Sequence, residues 1–426
     1  MAVVTSLSRL HRFAMDARRD QLQRAVAFEP PEWEGISGTS GLREIADVMV
    51  ENAVGISPMP LGIAEGFLVD GEEMAVPMAV EEPSVIAAAS LAARLVAAAG
   101  GFRTWAAPPL MSAQVYLEGV SEDGEARLRG CVPGVTALLG PSLASLERRG
   151  GGFRELRVAR LAGSGTVRVD LLIDVRDAMG ANRLTAAAEL ASPLLERESG
   201  GRTLMAILSN EAPERLAGAS CEVPFTRLRS GLPPGTDPRT VATRICAASG
   251  VAQEDPARAV THNKGIMNGV TALALATMND TRAVEAAAHA WASRTGAYRG
   301  LSTWEAGPDS LKGRIELPLV FASAGGSVDF HPAARACLRI LGFPGGPRLA
   351  RIAAAVGLAQ NLAALLALVT QGIRKGHLRK HAARLAWKAG ARGGEVRRLA
   401  ELLWKDGTTA EAAARETLKR LRERPS

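Results

Sequence analysis

Cysteine is scarce in this chain: four residues, Cys131, Cys221, Cys246 and Cys337, occur among 426, and no two have CxxC spacing. This usage indicates neither a zinc site nor a disulfide framework, and we expect no bound metal. It fits a reducing, cytoplasmic compartment. The N-terminus also lacks the apolar segment of a secretory signal, so its arginines belong either to a short transit peptide or, as we favour, to the first helix.

Several common motifs are missing as well. No GxGxxG follows a predicted strand and there is no P-loop, so the sequence does not support a Rossmann or P-loop fold. We find no internal repeat and no low-complexity linker. The one long apolar run, 352–370, has Gln360 and Asn361 at its centre, which favours a buried core helix over a membrane span.

What the chain does contain is typical of a globular protein: 47% hydrophobic and 22% charged residues, with a length that predicts two or three domains. Its net charge of +7 is uneven, because the segment from Arg374 onwards holds 15 Lys/Arg against 6 Asp/Glu, an excess of +9. This basic segment has three interpretations: a nucleic-acid site, a site for a polyanion such as coenzyme A or a dinucleotide, or a solvated surface. Its helical spacing of leucines predicts a packed module.

The periodicity predicts an α+β fold. Residues 1–109 are mostly helical, interrupted by a hairpin around Asp70-Gly71, and a helix starts at Pro83. Residues 110–213 have the order β-α-β-β-α-β, typical of a ferredoxin-like sheet, and form an inserted small domain. Residues 214–372 return to helices with one strand at 315–321 and complete a mostly helical large domain. Residues 373–426 form a separate C-terminal helical module.

The stretch 261–292 combines the residue types from which an active site is built. Lys264 stands beside glycines, where the backbone can approach a ligand, and Asp280 stands before a second helical pattern. The apolar run 270–277 predicts a buried helix with Lys264 ahead of its start and Asp280 past its end. The two side chains then meet in a cleft where the carboxylate stabilises the ammonium. The structural alternative is an N-capping Asp280 and an unrelated surface lysine.

This stretch is one of five short strings that occur in order along the chain. The strings are Glu51-Asn52-Ala53-Val54-Gly55, Glu81-Glu82-Pro83-Ser84, Asp177-Ala178-Met179-Gly180-Ala181-Asn182, the pair HNKGIMNG (262–269) and NDTRAVEAAAHA (279–290), and Gly376-His377. They resemble the motifs of class II (bacterial) 3-hydroxy-3-methylglutaryl-coenzyme A reductases (HMG-CoA reductases). The resemblance spans nearly the whole chain, although Leu378 stands where the family's Gly-His-Met motif has methionine.

The resemblance implies a two-hydride reduction of the HMG-CoA thioester through mevaldehyde to mevalonate and coenzyme A. Lys264 stabilises the oxyanion, Asp280 orients Lys264, Glu82 donates a proton to the alkoxide and His377 protonates the leaving thiolate. The substrate-binding candidates are Ser84, Arg258 and Asn268. The basic C-terminal module becomes a flap over the site.

The resemblance also implies a nicotinamide cofactor. Its binding candidates are Asp177, Met179, Gly180, Asn182, Gly325 and Gly326, and the first four lie where a strand ends and a helix begins, a position suited to a pyrophosphate. The segment 141–149 offers Arg148 and Arg149 with Glu147 as its only acid, which favours NADPH slightly over NADH.

The family shares its active sites between subunits, so we expect a homodimer or an assembly of dimers, with the string at Glu51–Gly55 at the interface. We expect no nucleic-acid or membrane partner. Two alternatives remain open from the sequence: the same chemistry run in reverse for mevalonate catabolism, and a homologue that binds acyl-coenzyme A or nucleic acid without turnover.

Overall fold

The computed structural model describes residues 10, 13, 15–37, 42–52, 54, 56–370, 372 and 382–423. From the N-terminus to the middle of the chain the elements are α1 Met15–Ala25, α2 Pro30–Ser37, α3 Leu42–Met49, β1 Leu61–Val69, β2 Glu72–Ala79, α4 Val85–Ala97, β3 Arg103–Ala106, β4 Leu110–Glu118, α5 Glu122–Gly130, α6 Val132–Glu147, β5 Gly152–Arg160, β6 Val167–Asp174, α7 Ala181–Ser199 and β7 Arg202–Leu208. The remainder comprises β8 Leu216–Pro224, α8 Phe225–Leu228, α9 Pro238–Glu254, α10 Pro256–Ala276, α11 Thr281–Ala292, β9 Ser302–Ala306, β10 Ser310–Pro318, α12 Ser327–Phe330, α13 Pro332–Ile340, α14 Gly346–Val369, α15 Gly394–Lys405 and α16 Glu411–Glu423. Residues 382–388 are also helical.

The predicted ferredoxin-like sheet is present. Its four strands are antiparallel in the order β5-β6-β4-β7, the order of the βαββαβ fold. Helices α6 and α7 bury their leucines against one face, where Val169 and Leu171 of β6 point into the core. One helix, α5, was not predicted; Ser121 caps its N-terminus by accepting from Gly124 N at 3.1 Å.

The hairpin around Asp70-Gly71 is confirmed as β1 and β2. Both turn residues have left-handed backbone angles, φ 53° and 85°, as a two-residue hairpin turn of this kind requires. The helix predicted from Pro83 instead begins at Val85, after Ser84, whose φ of 88° is left-handed. Because an L-residue seldom adopts this angle, the backbone between Glu82 and the helix carries strain.

A second sheet was missed by the sequence interpretation. It is antiparallel, in the order β3-β8-β10-β9, and the expected strand at 315–321 is only one of its members, placed at Ser310–Pro318. Strand β8 reads LAGASCEVP, and its alanines and glycine have little intrinsic strand preference, so tertiary packing decides its conformation.

Helix α14 runs through the middle of the large core, where it packs against α4, α9, α10 and the second sheet. Of the helices in the described part of the chain, it alone is long and apolar enough to cross a membrane, but 83% of its most apolar 18-residue window is buried within the fold. Asn361 is buried there and accepts from Trp304 Nε1 at 2.7 Å. These features are those of a core helix.

The C-terminal helices have a small core of their own, built around Leu385, Leu399, Leu403 and Leu418. This module contacts the rest of the chain beside Glu82, because Arg384 Nη2 donates to the main-chain oxygen of Glu81 at 3.2 Å. The domain limits inferred from the sequence, 1–109, 110–213, 214–372 and 373–426, stay a proposal that these separate cores support.

Candidate functional site

Lys264 lies in the middle of α10, not ahead of it as the sequence suggested. The helix begins at Pro256, and Asp255 caps it by accepting from Ala257 N at 3.0 Å. An aspartate followed by proline is a recognised helix start, so the signal was present at Pro256, nine positions before Gly265, the first of the glycines that suggested a loop. Gly269 also lies inside the helix, where it allows α14 to pack closely. A Cβ at this position would lie 3.0 Å from Val356 Cγ1 of α14.

The partner of Lys264 within the chain is Glu82. Lys264 Nζ lies 2.9 Å from Glu82 Oε2, joining α10 to the strained segment before α4. The side chains are 61% and 35% exposed, so a ligand can reach both. An ammonium group beside a carboxyl group would suit a reaction in which a carbonyl oxygen gains negative charge and then a proton.

Asp280 does not meet Lys264 within one chain, and the prediction that they meet in a cleft is wrong for the single subunit. Asp280 caps α11, accepting from Arg282 N at 3.0 Å and Ala283 N at 3.1 Å. The turn that holds it lies at the end of α10, since Asn279 N donates to Ala274 O. Lys264 is ten residues before Ala274, which places it about 15 Å from this turn along the helix axis. The capping alternative therefore describes this carboxylate in the isolated chain.

The substrate candidates belong to the same two segments as Lys264 and Glu82. Asn268 is one helical turn after it, and the side chains of residues four apart lie on the same face of a helix. Both Asn268 and Arg258 are half-buried on α10, and Ser84 is half-buried two positions from Glu82. His377 lies outside the described residues, as do Ala53 and Gly55 of the string proposed for the interface.

The cofactor candidates come from two segments 140 and more positions apart, and the structure brings both segments together. Ser323 N and Ala324 N donate to Asp177 O at 2.9 and 3.2 Å, and Ala178 and Ala324 form a parallel bridge. Gly325 and Gly326 follow directly. The Asp177 carboxylate is used structurally, accepting from Gly346 N at 2.9 Å.

The start of α7 fits an anionic group. Gly180 precedes the helix with φ 80°, a left-handed angle, and a Cβ there would lie 2.7 Å from Val175 Cγ1, so glycine is required. No side chain in the described part of the chain caps this N-terminus, which leaves first-turn N–H groups available to phosphate oxygens. Asn182 is exposed in this turn, while Met179 packs partly against the small core.

Four arginines lie on or against the turn 148–152, which contacts the segment leading into α7. The turn 148–152 backs onto Arg176, the residue before Asp177, because Arg176 Nη2 donates to Gly150 O. Arg154 also donates to Gly150 O and pairs with Asp174 at 3.5 Å. Arg148 and Arg149 are exposed on the same turn. The sequence pointed to the last two; Arg154 and Arg176 were missed because strand pairing brings them there.

Two buried residues at the junction of the small and large domains were also missed. Arg215 donates to Phe321 O through Nη2, and burial lowers its pKa to about 10 although Asp174 and Asp177 oppose the shift. Asn279 bonds both backbone groups of Ala322. Asn279 opens the string 279–290, which assigned it no role, and Arg215 lies outside all the motif strings.

A family model described as hydroxymethylglutaryl-coenzyme A reductase matches residues 14–382. A 3-hydroxy-3-methylglutaryl-coenzyme A reductase of Archaeoglobus fulgidus is 38% identical over 99% of this chain and 96% of its own length. A probable reductase of the same name from Borreliella burgdorferi is 35% identical over 78% of this chain and 76% of its own.

Solved structures agree with these relatives. The HMG-CoA reductase of Streptococcus pneumoniae matches with a TM-score of 0.80 and 38% identity, covering 97% of this chain and 99% of that one. A structure of the class II enzyme from the same organism, bound to NADPH in open conformations, matches with the same score over 85% and 99%. This chain belongs to the hydroxymethylglutaryl-coenzyme A reductase family and is an oxidoreductase.

Proposed function

We propose that this chain reduces the thioester of HMG-CoA, by two successive hydride transfers, to mevalonate and free coenzyme A in isoprenoid biosynthesis. The observation that carries the proposal is the Lys264–Glu82 pair, which joins the two motif strings at 2.9 Å. The family comparisons favour this direction over catabolism and over a non-catalytic homologue.

Each residue has one task in this scheme. Lys264 stabilises the negative charge that forms on the carbonyl oxygen at each hydride transfer. After the first transfer the carbon–sulfur bond breaks and His377 gives a proton to the departing thiolate, which leaves mevaldehyde. After the second, Glu82 gives a proton to the alkoxide. The overall change consumes two hydrides and two protons per thioester.

The hydride source is a nicotinamide dinucleotide, which when bound supplies a hydride, a proton together with two electrons, to an electrophilic carbon. We propose that the uncapped N-terminus of α7 and the adjoining segment Ala322–Gly326 hold its phosphates. NADPH is the preferred form in this proposal, because Arg148, Arg149, Arg154 and Arg176 lie beside that N-terminus and suit a 2′-phosphate. The Streptococcus pneumoniae relative bound to NADPH supports a nicotinamide cofactor.

The active unit in this proposal is a homodimer with shared sites. Lys264 and Asp280 are unpaired with each other in one chain, yet Asp280 remains 30% exposed and Lys264 61% exposed. A second subunit that brings its Asp280 to Lys264 would restore the pairing that the family resemblance implies. A cytoplasmic location stays a prediction from cysteine usage.

The direct test is an absorbance assay of purified protein with HMG-CoA and NADPH. The proposal expects NADPH oxidation that depends on the thioester and is accompanied by free thiol. Binding of acyl-coenzyme A without oxidation would favour the non-catalytic alternative.

A further inference from the structure

The turn between α10 and α11 is unusually constrained for a four-residue connection. Met278 N donates to Leu275 O at 3.1 Å and Asn279 N to Ala274 O at 2.8 Å, the paired bonds of a Schellman ending. The left-handed position is filled by Met278, with φ 52°, where glycine is usual. The main chain is therefore fixed where it delivers Asn279 and Asp280.

The side chain of Asn279 forms two hydrogen bonds with the backbone of Ala322, in a distant segment. Its Nδ2 donates to Ala322 O at 3.1 Å, and its Oδ1 accepts from Ala322 N at 2.7 Å. The same Nδ2 donates to Thr277 Oγ1 at 2.9 Å, which completes its hydrogen bonding. The amide of Asn279 satisfies both backbone groups of Ala322, as a neighbouring strand would. Because Asn279 is buried, loss of its side-chain amide would leave these two backbone groups without partners.

Ala322 is the first residue of the segment that meets the α7 loop. The next two residues, Ser323 and Ala324, donate to Asp177 O, and Gly325 and Gly326 follow. Three consecutive residues are thus held, one by Asn279 and two by Asp177. The residue that follows Asn279 in the chain, Asp280, caps α11. One turn therefore fixes the cofactor segment and the catalytic carboxylate relative to each other.

We propose that Asn279 is a positioning residue, which keeps the segment Ala322–Gly326 in the place where it binds the dinucleotide and in register with Asp280. This inference rests on the proposed function, since it takes Gly325 and Gly326 as part of the cofactor site. Removing the amide frees Ala322, and the cofactor segment loses its preorganisation while Lys264 and Glu82 keep their contact.

The chain offers a matched control in Asn263. Its Nδ2 donates to Arg299 O and its Oδ1 accepts from Leu301 N, both at 2.8 Å, and the residue is fully buried. Like Asn279, it stands directly before a proposed catalytic residue. Asn263→Ala therefore also removes one donated and one accepted bond to the backbone of a distant segment, but this segment is bonded to α9 and β10 and not to the α7 loop.

The experiment measures the Kd for NADPH by nucleotide fluorescence, and Tm in parallel, for the full-length protein without the thioester. We expect Asn279→Ala to weaken NADPH about tenfold or more, the equivalent of about one net hydrogen bond. Asn263→Ala should lower Tm by a similar amount yet change the Kd less than about twofold. Equal Kd changes in the two variants, or none in Asn279→Ala, would overturn the inference.

A second variant covers the case in which Asn279→Ala does not fold. In Asn279→Asp the protonated carboxyl group presents one donor and one acceptor, as the amide does, whereas the ionised group sets an oxygen against Ala322 O. Relative to wild type at each pH, NADPH affinity should recover as the pH falls from 8 to about 5. A pH-independent ratio contradicts the inference. A wild-type protein that binds no NADPH overturns this inference and the proposed cofactor together, whereas normal wild-type binding with unaltered variants overturns the inference alone.

Discussion

Lys264 Nζ lies 2.9 Å from Glu82 Oε2, although 182 positions separate the two residues in the chain. Helix α10 and the segment before α4 have no sequence feature in common that predicts this contact, which depends on their shared packing against α14. An ammonium group is thereby held next to a carboxyl group on a surface that a ligand can reach.

Lys264→Ala should slow reduction of both the thioester and free mevaldehyde, since negative charge forms on oxygen in both hydride transfers. Removal of one such stabilising group typically costs about 10²–10³-fold in kcat. Glu82→Gln should impair the aldehyde step as well. NADPH absorbance measures both reactions. Lys312→Ala is the control, because Lys312 pairs with Glu222 at 3.7 Å on the second sheet; a loss as large as that of Lys264→Ala would contradict a specific role.

His377→Gln should separate the two substrates. Its proposed proton goes to the thiolate, which mevaldehyde lacks, so thioester reduction should fall about 10²–10⁴-fold while aldehyde reduction is largely retained. The same two assays measure this. If both reactions fall equally, or neither changes, His377 is not the thiolate acid. The next variant to measure is then His381→Gln, since His381 is the histidine four positions later in the sequence.

Mixing two inactive variants tests whether the site is shared. A dimer of Lys264→Ala and Asp280→Ala subunits contains one intact site if each site takes Lys264 from one subunit and Asp280 from the other. After joint refolding or co-expression, random pairing should restore about a quarter of wild-type specific activity. Recovery of none would show that each subunit supplies both residues, and light scattering of a fully active monomer would also reject the proposal.

Cofactor preference should depend on the two exposed arginines of the turn 148–152. Replacing both Arg148 and Arg149 by alanine should raise the KM for NADPH about tenfold, because a charge-assisted contact to the 2′-phosphate is lost, and leave the KM for NADH nearly unchanged. Arg129→Ala, on an exposed arginine that pairs with Glu125, is the control. Wild-type catalytic efficiency with NADH equal to or above that with NADPH would refute the preference.

The protein should lose stability in mild acid through His262. Burial, and then the charge of Arg258, lowers the pKa of His262 to about 4 from 6.5. Because the unfolded chain binds this proton more readily, the contribution of His262 is fully present above pH 6.5 and is lost as the pH falls towards 4. Wild type should therefore lose about 1–3 kcal/mol more than His262→Gln over this range. Urea unfolding at several pH values measures the difference; parallel curves would contradict it.

Sequence patterns predicted the elements whose signal is local. The small domain follows from alternating apolar residues and glycine turns, and the hairpin at Asp70-Gly71 from its turn chemistry. Strand β8 was missed because its small residues gain strand character only between β3 and β10. The position of Lys264 was misjudged because glycines inside α10 resemble a loop, when one of them is needed for close packing on α14.

In the candidate site, too, residues within local motifs could be predicted and contacts between distant segments could not. Motif strings identified Lys264, Glu82 and the α7 loop, since a resemblance depends on neighbouring residues. The contacts of Asn279 and Arg215 with the segment 319–322 could not be predicted, although Asn279 opens one of the strings, because only the fold brings that segment near them.

The stoichiometry of a single reaction tests the central claim most directly. Purified protein, limiting HMG-CoA and excess NADPH are allowed to react to completion, and the NADPH consumed is compared with the thiol released. Reduction of the thioester through the aldehyde to the alcohol predicts two NADPH oxidised for each coenzyme A thiol. One NADPH per thiol, or thiol release with no oxidation, would contradict it.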